Sequence, residues 1–273
     1  MVSVIVPTRG RPAYLEAALA SIVPQAVAAG GEVVVVADVR EADVVSVVRR
    51  HGARLVAHPA PGANAARITG MAATDADLLV LVDDDVEAPP GWLAALLAAA
   101  DAHPGWDVIG GPIVPRLEGA RARGCGRDRP PVTGLDLGPR DVEAAAVWTA
   151  NLLVRRSALA LAGLDPDHAF YGEEEEWQRR LRARGGRIGY AAAGGLVHRR
   201  AGPDARPWAL TRASWAQGRG ARRWDGAKGR APGVAAEAVL VGRCLGHAAR
   251  RRCAWGLYTA AHAGGRLREA LGA

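Results

Sequence analysis

Three consecutive carboxylates, Asp83-Asp84-Asp85, close an apolar run from Leu78 to Val82. Adjacent carboxylates repel one another and are costly to hold together without a cation. A hard divalent ion such as Mg²⁺ or Mn²⁺ takes oxygen ligands of this kind, commonly one or two carboxylates plus phosphate oxygens. A solvated acidic turn, with Asp85 capping the following helix, is the plainer use of three aspartates; the apolar run before them favours the cation. A second acidic run, Glu173 to Glu176, follows Gly172. The helix dipole stabilises one or two carboxylates in a first turn, and four exceed that need. The same dipole keeps a carboxylate ionised, as a general base must be. The run is therefore either a solvated helix start or a catalytic acid cluster. His198 ends a strand-like stretch before Arg199-Arg200; an isolated histidine is more often structural or exposed than a metal ligand. Asp38, after Val33 to Val36, is either a turn residue or an acceptor for base and ribose hydrogen bonds.

These groups need elements to hold them. Val2 to Val6 is a β-branched run closed by Pro7, and Ala13 to Ile22 has helical spacing behind Pro12. Val33 to Val36 and Leu78 to Val82 are wholly apolar, the mark of strands buried on both faces. Helical segments at 44–50 and 65–73 and a strand at 54–57 fall between them. Strand and helix alternating in this way predict βαβ units and a mostly parallel sheet. Ligands of open α/β sheets lie beyond the carboxyl ends of the strands. Those ends here read Pro7-Thr8-Arg9, Asp38 and Asp83-Asp84-Asp85. Beyond a helix at 92–102 and a strand at 108–112, residues 116–141 are rich in Gly, Pro and Arg and read as a mobile or variable loop. Order returns at 147–154, with helices near 157–162 and from Gly172 to Arg184, and a strand-like stretch from Arg187 that ends near Val197-His198. From Gly202 the chain turns into Ala- and Arg-rich helical segments carrying Trp208, Trp215, Trp224 and Trp255.

Composition narrows the class. With 273 residues, 49% hydrophobic and 23% charged, the chain has material for a real core and is not disordered throughout. The net charge of +7 concentrates in arginines between 199 and 252, which favours a surface contact over a whole-domain nucleic-acid binder. Cys125, Cys244 and Cys253 form no CxxC pair and suggest neither a disulfide framework nor a zinc site. The first residues lack a signal-peptide pattern, and no stretch reaches about 18 uncharged apolar residues. A cytoplasmic protein is expected.

In this order the motifs resemble those of the family 2 glycosyltransferases over about residues 1–200. Val2 to Thr8 is similar to the family's opening strand, with Arg9-Gly10 where an aromatic-Asn pair is usual. Glu32 to Asp38 is similar to its second strand, Asp38 matching the second acid of Asp-Asp-Gly-Ser while Ala37, Val39 and Arg40 depart from it. Gly62 to Gly70 supplies a small-residue helix face with Arg67. Asp83-Asp84-Asp85 resembles the DxD motif, and Pro89-Pro90-Gly91-Trp92 its usual continuation. Thr149-Ala150-Asn151 with Arg155-Arg156 resembles the segment near the acceptor. Gly172-Glu173-Glu174 stands where the family has Gly-Glu-Asp, Arg180-Leu181 completes that motif, and Val197-His198 matches a position that often supplies a His to metal or diphosphate.

The resemblance implies a GT-A fold, a Rossmann-like α/β three-layer sandwich with a mostly parallel central sheet and a C-terminal helical appendage. It implies domains at 1–201 (a nucleotide-sugar half 1–112 and an acceptor half 113–201) and 202–273. It implies inverting transfer of a sugar from a UDP, GDP or dTDP donor to the hydroxyl of a glycan, lipid-linked sugar or small molecule, in envelope polysaccharide, glycolipid or natural-product glycosylation. Glu174 is the expected base, with Glu173 as fallback. Pro7, Thr8, Arg9, Asp38, Arg67, Asp83 and Asp84 are expected at the nucleotide sugar, and Trp148, Asn151 and Trp177 on the acceptor side. Asp85, Asp83 and His198 are expected to hold Mn²⁺ or Mg²⁺. Peripheral contact of the basic tail with the inner face of the cell membrane, and no nucleic-acid partner, complete the expectation. A nucleotidyltransferase would carry a glycine- and lysine-rich phosphate loop after the first strand, of which Arg9-Gly10-Arg11 is a faint version. A degenerate sugar-nucleotide binder is the non-catalytic alternative.

Overall fold

The structure, a computed structural model, describes residues 1–58, 62–119, 132–165 and 173–272. The chain opens with β1 (Val2–Pro7), α1 (Pro12–Ala28), β2 (Glu32–Ala37), α2 (Ala42–Arg50), β3 (Arg54–Ala57), α3 (Ala63–Ala72) and β4 (Leu78–Val82). A short β5 (Val86–Glu87) leads to α4 (Trp92–Ala102), β6 (Val108–Gly110) and β7 (Ile113–Leu117). Then come β8 (Val142–Glu143), β9 (Asn151–Arg155), α5 (Ala158–Leu161), α6 (Glu173–Ala183), β10 (Ile188–Tyr190) and β11 (Leu196–Arg200). After a 3-10 turn at Gly202–Ala205, three helices follow: α7 (Pro207–Ala227), α8 (Val234–Arg251) and α9 (Ala254–Leu271).

By contact density the described residues form two compact units, 1–114 with 133–165 and 173–198, and 115–119 with 132 and 199–272. The first holds an eight-stranded sheet of order β3-β2-β1-β4-β9-β6-β10-β8. β1, β2, β3 and β4 run parallel, as do β6 and β10. β9 enters between β4 and β6 antiparallel to both. A small sheet of order β5-β11-β7 accompanies it.

The apolar strands explain the layering. Side chains alternate across a strand, and here both sets are buried. Val4, Val6, Val33, Val35, Val80 and Val82 pack with Leu15, Leu19, Leu93 and Leu96 of α1 and α4. Ile5, Val34, Val36, Leu79 and Leu81 pack with Ala66 and Met71 of α3 and with Trp177 and Leu181 of α6. A sheet with two dry faces requires a helical layer on each, hence the α/β three-layer arrangement expected from sequence. Gly70 lets α3 lie close on the sheet, because a side chain there would strike Ile5 and Val36.

Three boundaries differ from the periodicity. α1 continues past Ile22 and through Pro24 to Ala28. Ala26 is buried, and the Gln25 amide ties the helix to the Ser21 and Pro89 carbonyls and to the Leu93 N–H, so tertiary contacts outweigh the proline. Residues 147–150 stay irregular. Their backbone polar groups are met by side chains of α6: the Val147 N–H donates to Gln178 Oε1 at 2.9 Å and its carbonyl accepts from Gln178 Nε2 at 2.7 Å. The strand-like stretch from Arg187 to His198 is two strands in different sheets, β10 beside β6 and β11 antiparallel to β5. The loop expected at 116–141 falls partly, at 120–131, outside the described residues.

In the second unit α9 packs on α7 and α8. Gly218 and Gly265 make the α7–α9 contact close, since a side chain on either would run into the backbone of the other helix. Glu237, 1% exposed, is held by Arg266 through Nε at 3.0 Å and Nη2 at 2.8 Å; Arg266 Nη1 also reaches Asp225 at 2.8 Å. Among the described residues no helix is long and apolar enough to cross a membrane.

Candidate active site

The carboxyl end of β4 delivers Asp83, Asp84 and Asp85 into three environments. Asp84 is fully buried and points back to the end of β1. Thr8 Oγ1 donates to Asp84 Oδ2 at 2.6 Å, and Arg11, at the mouth of α1, donates through Nε at 3.1 Å and forms an ion pair with Oδ1. Burial pushes the Asp84 carboxyl up to about 6, against the pull of Arg11 and Thr8. Asp84 is thus the pin that joins β1, α1 and β4. Arg11 also reaches Asp85 Oδ2 with Nη1 at 2.9 Å and lies over the Tyr14 ring. Burial lowers the Arg11 pKa, and the Asp84 and Asp85 charges more than reverse that, so it is raised overall.

Asp85, 3% exposed, meets His198 on its other oxygen, with His198 Nε2 at 2.8 Å from Oδ1. Antiparallel pairing of β11 with β5 sets this contact, since His198 lies opposite Val86, the residue after Asp85. His198 Nδ1 faces the Thr133 carbonyl at 3.3 Å, the outer contact that typically orients a ligating imidazole. One ligand atom from each of Asp83, Asp85 and His198 lies within 4.8 Å of the others. The two carboxylates offer oxygen donors of the kind Mn²⁺ or Mg²⁺ takes, and the imidazole adds a nitrogen donor. Arg11 supplies positive charge to the same carboxylates.

Asp83 is half-open and accepts from Arg67 Nη2 at 3.1 Å. Arg67, 5% exposed on α3, also donates through Nη1 to Asn64 Oδ1 at 3.2 Å, and Asn64 is itself anchored to the Asp165 carbonyl. The Arg67 charge acts on Glu174 as well. Burial raises the Glu174 carboxyl above its ordinary pKa; Arg67 and the Thr149 hydroxyl pull it down, and Asp83 pushes it up. Glu174 Oε1 accepts the Thr149 N–H at 3.1 Å and a short bond from Thr149 Oγ1. The irregular backbone before β9 thereby fixes a half-buried carboxylate whose pKa is raised above its ordinary value.

The sequence-predicted residues divide. Thr8, Arg67, Asp83, Asp84, Asp85, Glu174 and His198 are linked in one network of hydrogen bonds and charge. Pro7 is half-buried at the end of β1, and Arg9 is exposed beyond it. Asp38 is engaged by Arg40, with Nη2 at 2.6 Å and the Arg40 N–H at 2.9 Å, and these bonds lower its pKa to about 2. Asn151 is fully buried. It accepts from Trp92 Nε1 at 2.9 Å and donates to the Pro112 and Gly194 carbonyls at 3.1 and 2.8 Å. Trp177, also buried, donates to the Ala162 carbonyl at 2.7 Å, while Trp148 is partly exposed. The Gly172 expectation and the Glu173 side chain lie outside the described residues. Arg11 entered the sequence pattern only within Arg9-Gly10-Arg11, the faint phosphate-loop signal, and not among the expected site residues.

The family model for glycosyl transferase family 2 matches residues 3–160. No curated protein matches the chain. Among solved structures, the crystal structure of a mycobacterial protein is similar with a TM-score of 0.57 and 18% identity, over 85% of this chain and 76% of that one. At that identity the likeness is one of fold.

Proposed function

The chain belongs to glycosyl transferase family 2, and from that premise we propose that it transfers a sugar, with inversion, from a nucleoside-diphosphate donor to an acceptor hydroxyl. The supporting observation is the position of Arg67: it binds Asp83 directly, and its charge acts on Glu174. A single buried guanidinium thus connects the acidic strand end to the half-buried Glu174 carboxylate of α6.

In the proposed reaction Glu174 takes the proton of the acceptor hydroxyl. The acceptor oxygen forms its bond to the anomeric carbon as the carbon–oxygen bond to the diphosphate breaks, and the electron pair leaves with the nucleoside diphosphate. Thr149 fixes the carboxylate that receives the proton. Arg67 orients Asp83 toward the donor. Asp83, Asp85 and His198 would hold Mn²⁺ or Mg²⁺, which when bound neutralises charge on the diphosphate. Thr8, at the end of β1, borders the nucleotide side of the site, and Trp148 the acceptor side. We place the enzyme in the cytoplasm, drawn to the inner face of the membrane through its helical unit.

Calorimetric titration with UDP, GDP and dTDP, each with and without Mn²⁺, tests the proposal. Metal-dependent binding of one nucleotide, together with its release from a cognate sugar donor, is expected. A folded protein that binds none of the three refutes it.

A further inference from the structure

Residues 199–272 carry fifteen basic and four acidic side chains, net +11, whereas residues 1–198 carry twenty and twenty-four, net −4. The positive charge of the chain therefore belongs to the helical unit. Apolar exposure follows it. Of fourteen exposed large hydrophobic residues among those described, eight lie at 208–271, including Val239, Leu240 and Leu245 of α8 at 61, 38 and 50% exposed.

On α7 the two properties coincide. Trp208, Arg212, Trp215, Arg219 and Arg223 succeed one another at spacings of four, three, four and four residues, and all five are exposed. That spacing places them within about 80° of one another around the helix axis, in a stripe about 22 Å long. Trp208 and Trp215 are 60 and 40% exposed, and the Arg219 and Arg223 side chains 45 and 46%, although both arginines pair with Glu269. Burial on α7 is met on its other side by Leu210, Ser214, Gly218 and Ala221, so the stripe is an exposed edge of the helix, along which the Trp215 ring also borders Gly264 of α9.

We propose that this Trp/Arg stripe of α7 is a docking surface for a bilayer bearing anionic headgroups. Guanidinium groups pair with lipid phosphates, and an indole places its apolar body at the headgroup level with its N–H in water. The aliphatic residues exposed on α8 gain by partitioning into lipid and gain nothing from a polyanion in water. A single-stranded nucleic acid fits less well. The two indoles are about 10 Å apart along the axis, wider than the step between neighbouring bases, so they do not form a continuous stacking platform. The inference deepens the membrane part of the proposed function by naming the surface and the lipid class.

The test is sedimentation of the full-length protein with vesicles of phosphatidylcholine alone or with one third phosphatidylglycerol, without donor or acceptor. Wild type should pellet with the anionic vesicles only and be released by high salt. Each arginine contributes about fivefold, so Trp208→Ala/Arg212→Glu should lose more than tenfold in partitioning, while Trp208→Phe/Arg212→Lys keeps it. Far-UV circular dichroism and a thermal melt of both variants, equal to wild type, confirm that they fold. The surface assignment is overturned by equal pelleting with neutral vesicles, by no pelleting, by a charge-reversed variant that pellets like wild type, or by binding to a 30-nucleotide strand in place of vesicles. Vesicle binding needs no catalysis, so failure of the transfer reading and failure of this surface register in separate measurements.

Discussion

His198 Nε2 lies 2.8 Å from Asp85 Oδ1, although 113 residues separate them. The other Asp85 oxygen is taken by Arg11 Nη1 at 2.9 Å. One aspartate thus connects the end of β4, the start of α1 and the middle of β11, and it belongs to the only group of three candidate metal ligands among the described residues.

His198→Ala should weaken Mn²⁺-dependent nucleotide binding at least about tenfold, because the set loses its imidazole and keeps only two carboxylates. Binding of the nucleotide alone should change little. Titrations with and without Mn²⁺ separate the two, and an unchanged metal dependence would remove His198 from the ligand set.

Glu174→Gln keeps the shape of the half-buried side chain and its contact with the Thr149 N–H while removing the base. We expect kcat to fall about 10²- to 10⁴-fold with KM for the donor preserved. Loss of donor binding in step with kcat would instead mark Glu174 as a binding residue.

The pH dependence follows from the raised pKa of Glu174. A base works only when ionised, so activity should be lost as pH falls through a value above the ordinary 4.5. Thr149→Val removes a hydroxyl bond that favours the ionised form, so the acid limb should move to higher pH. The same raised pKa means that ionised Glu174 costs folding stability: its contribution is full below the unfolded pKa and is lost as pH rises through the folded one. Rate–pH profiles of the two proteins decide; a limb that stays in place or moves down contradicts the assignment.

Asn151→Ala leaves the Trp92 indole N–H and two carbonyls without their partner in a fully buried place. Each such loss costs about 1–3 kcal/mol, so the variant should be at least about 3 kcal/mol less stable. Urea denaturation measures this, and acceptor KM of the folded protein measures any direct contact. A stable variant with a raised acceptor KM would place Asn151 on the acceptor side.

Arg11 and Asp84 should be coupled. Breaking the pair with Arg11→Met strands a buried carboxylate and should cost about 2 kcal/mol, a figure reduced for the part of Arg11 that is exposed. Adding Asp84→Asn should recover part of that cost. Strictly additive destabilisation in the four-protein cycle would show that the two do not act together.

Local pattern reached far in this chain. The apolar runs at 33–36 and 78–82 required a sheet covered on both faces, and the helix read at 92–102 has those bounds, because strand burial and helix spacing are written in adjacent residues. The acids at strand ends were legible for the same reason. Local sequence, however, left Asp38 and the four glutamates with two readings each, and it gave His198 no partner. Partners are chosen across the fold. The register of β11 on β5 brings His198 to Asp85, the bonds of α6 to residues 147–149 aim Glu174, and Arg11 reaches back over the end of β4. The sequence alone determined the layers and the chemical types available at their edges. Which carboxylate is a buried pin, which meets an imidazole and which has its pKa raised was decided by tertiary structure, because burial and neighbouring groups set those states, and both come from residues distant in the chain.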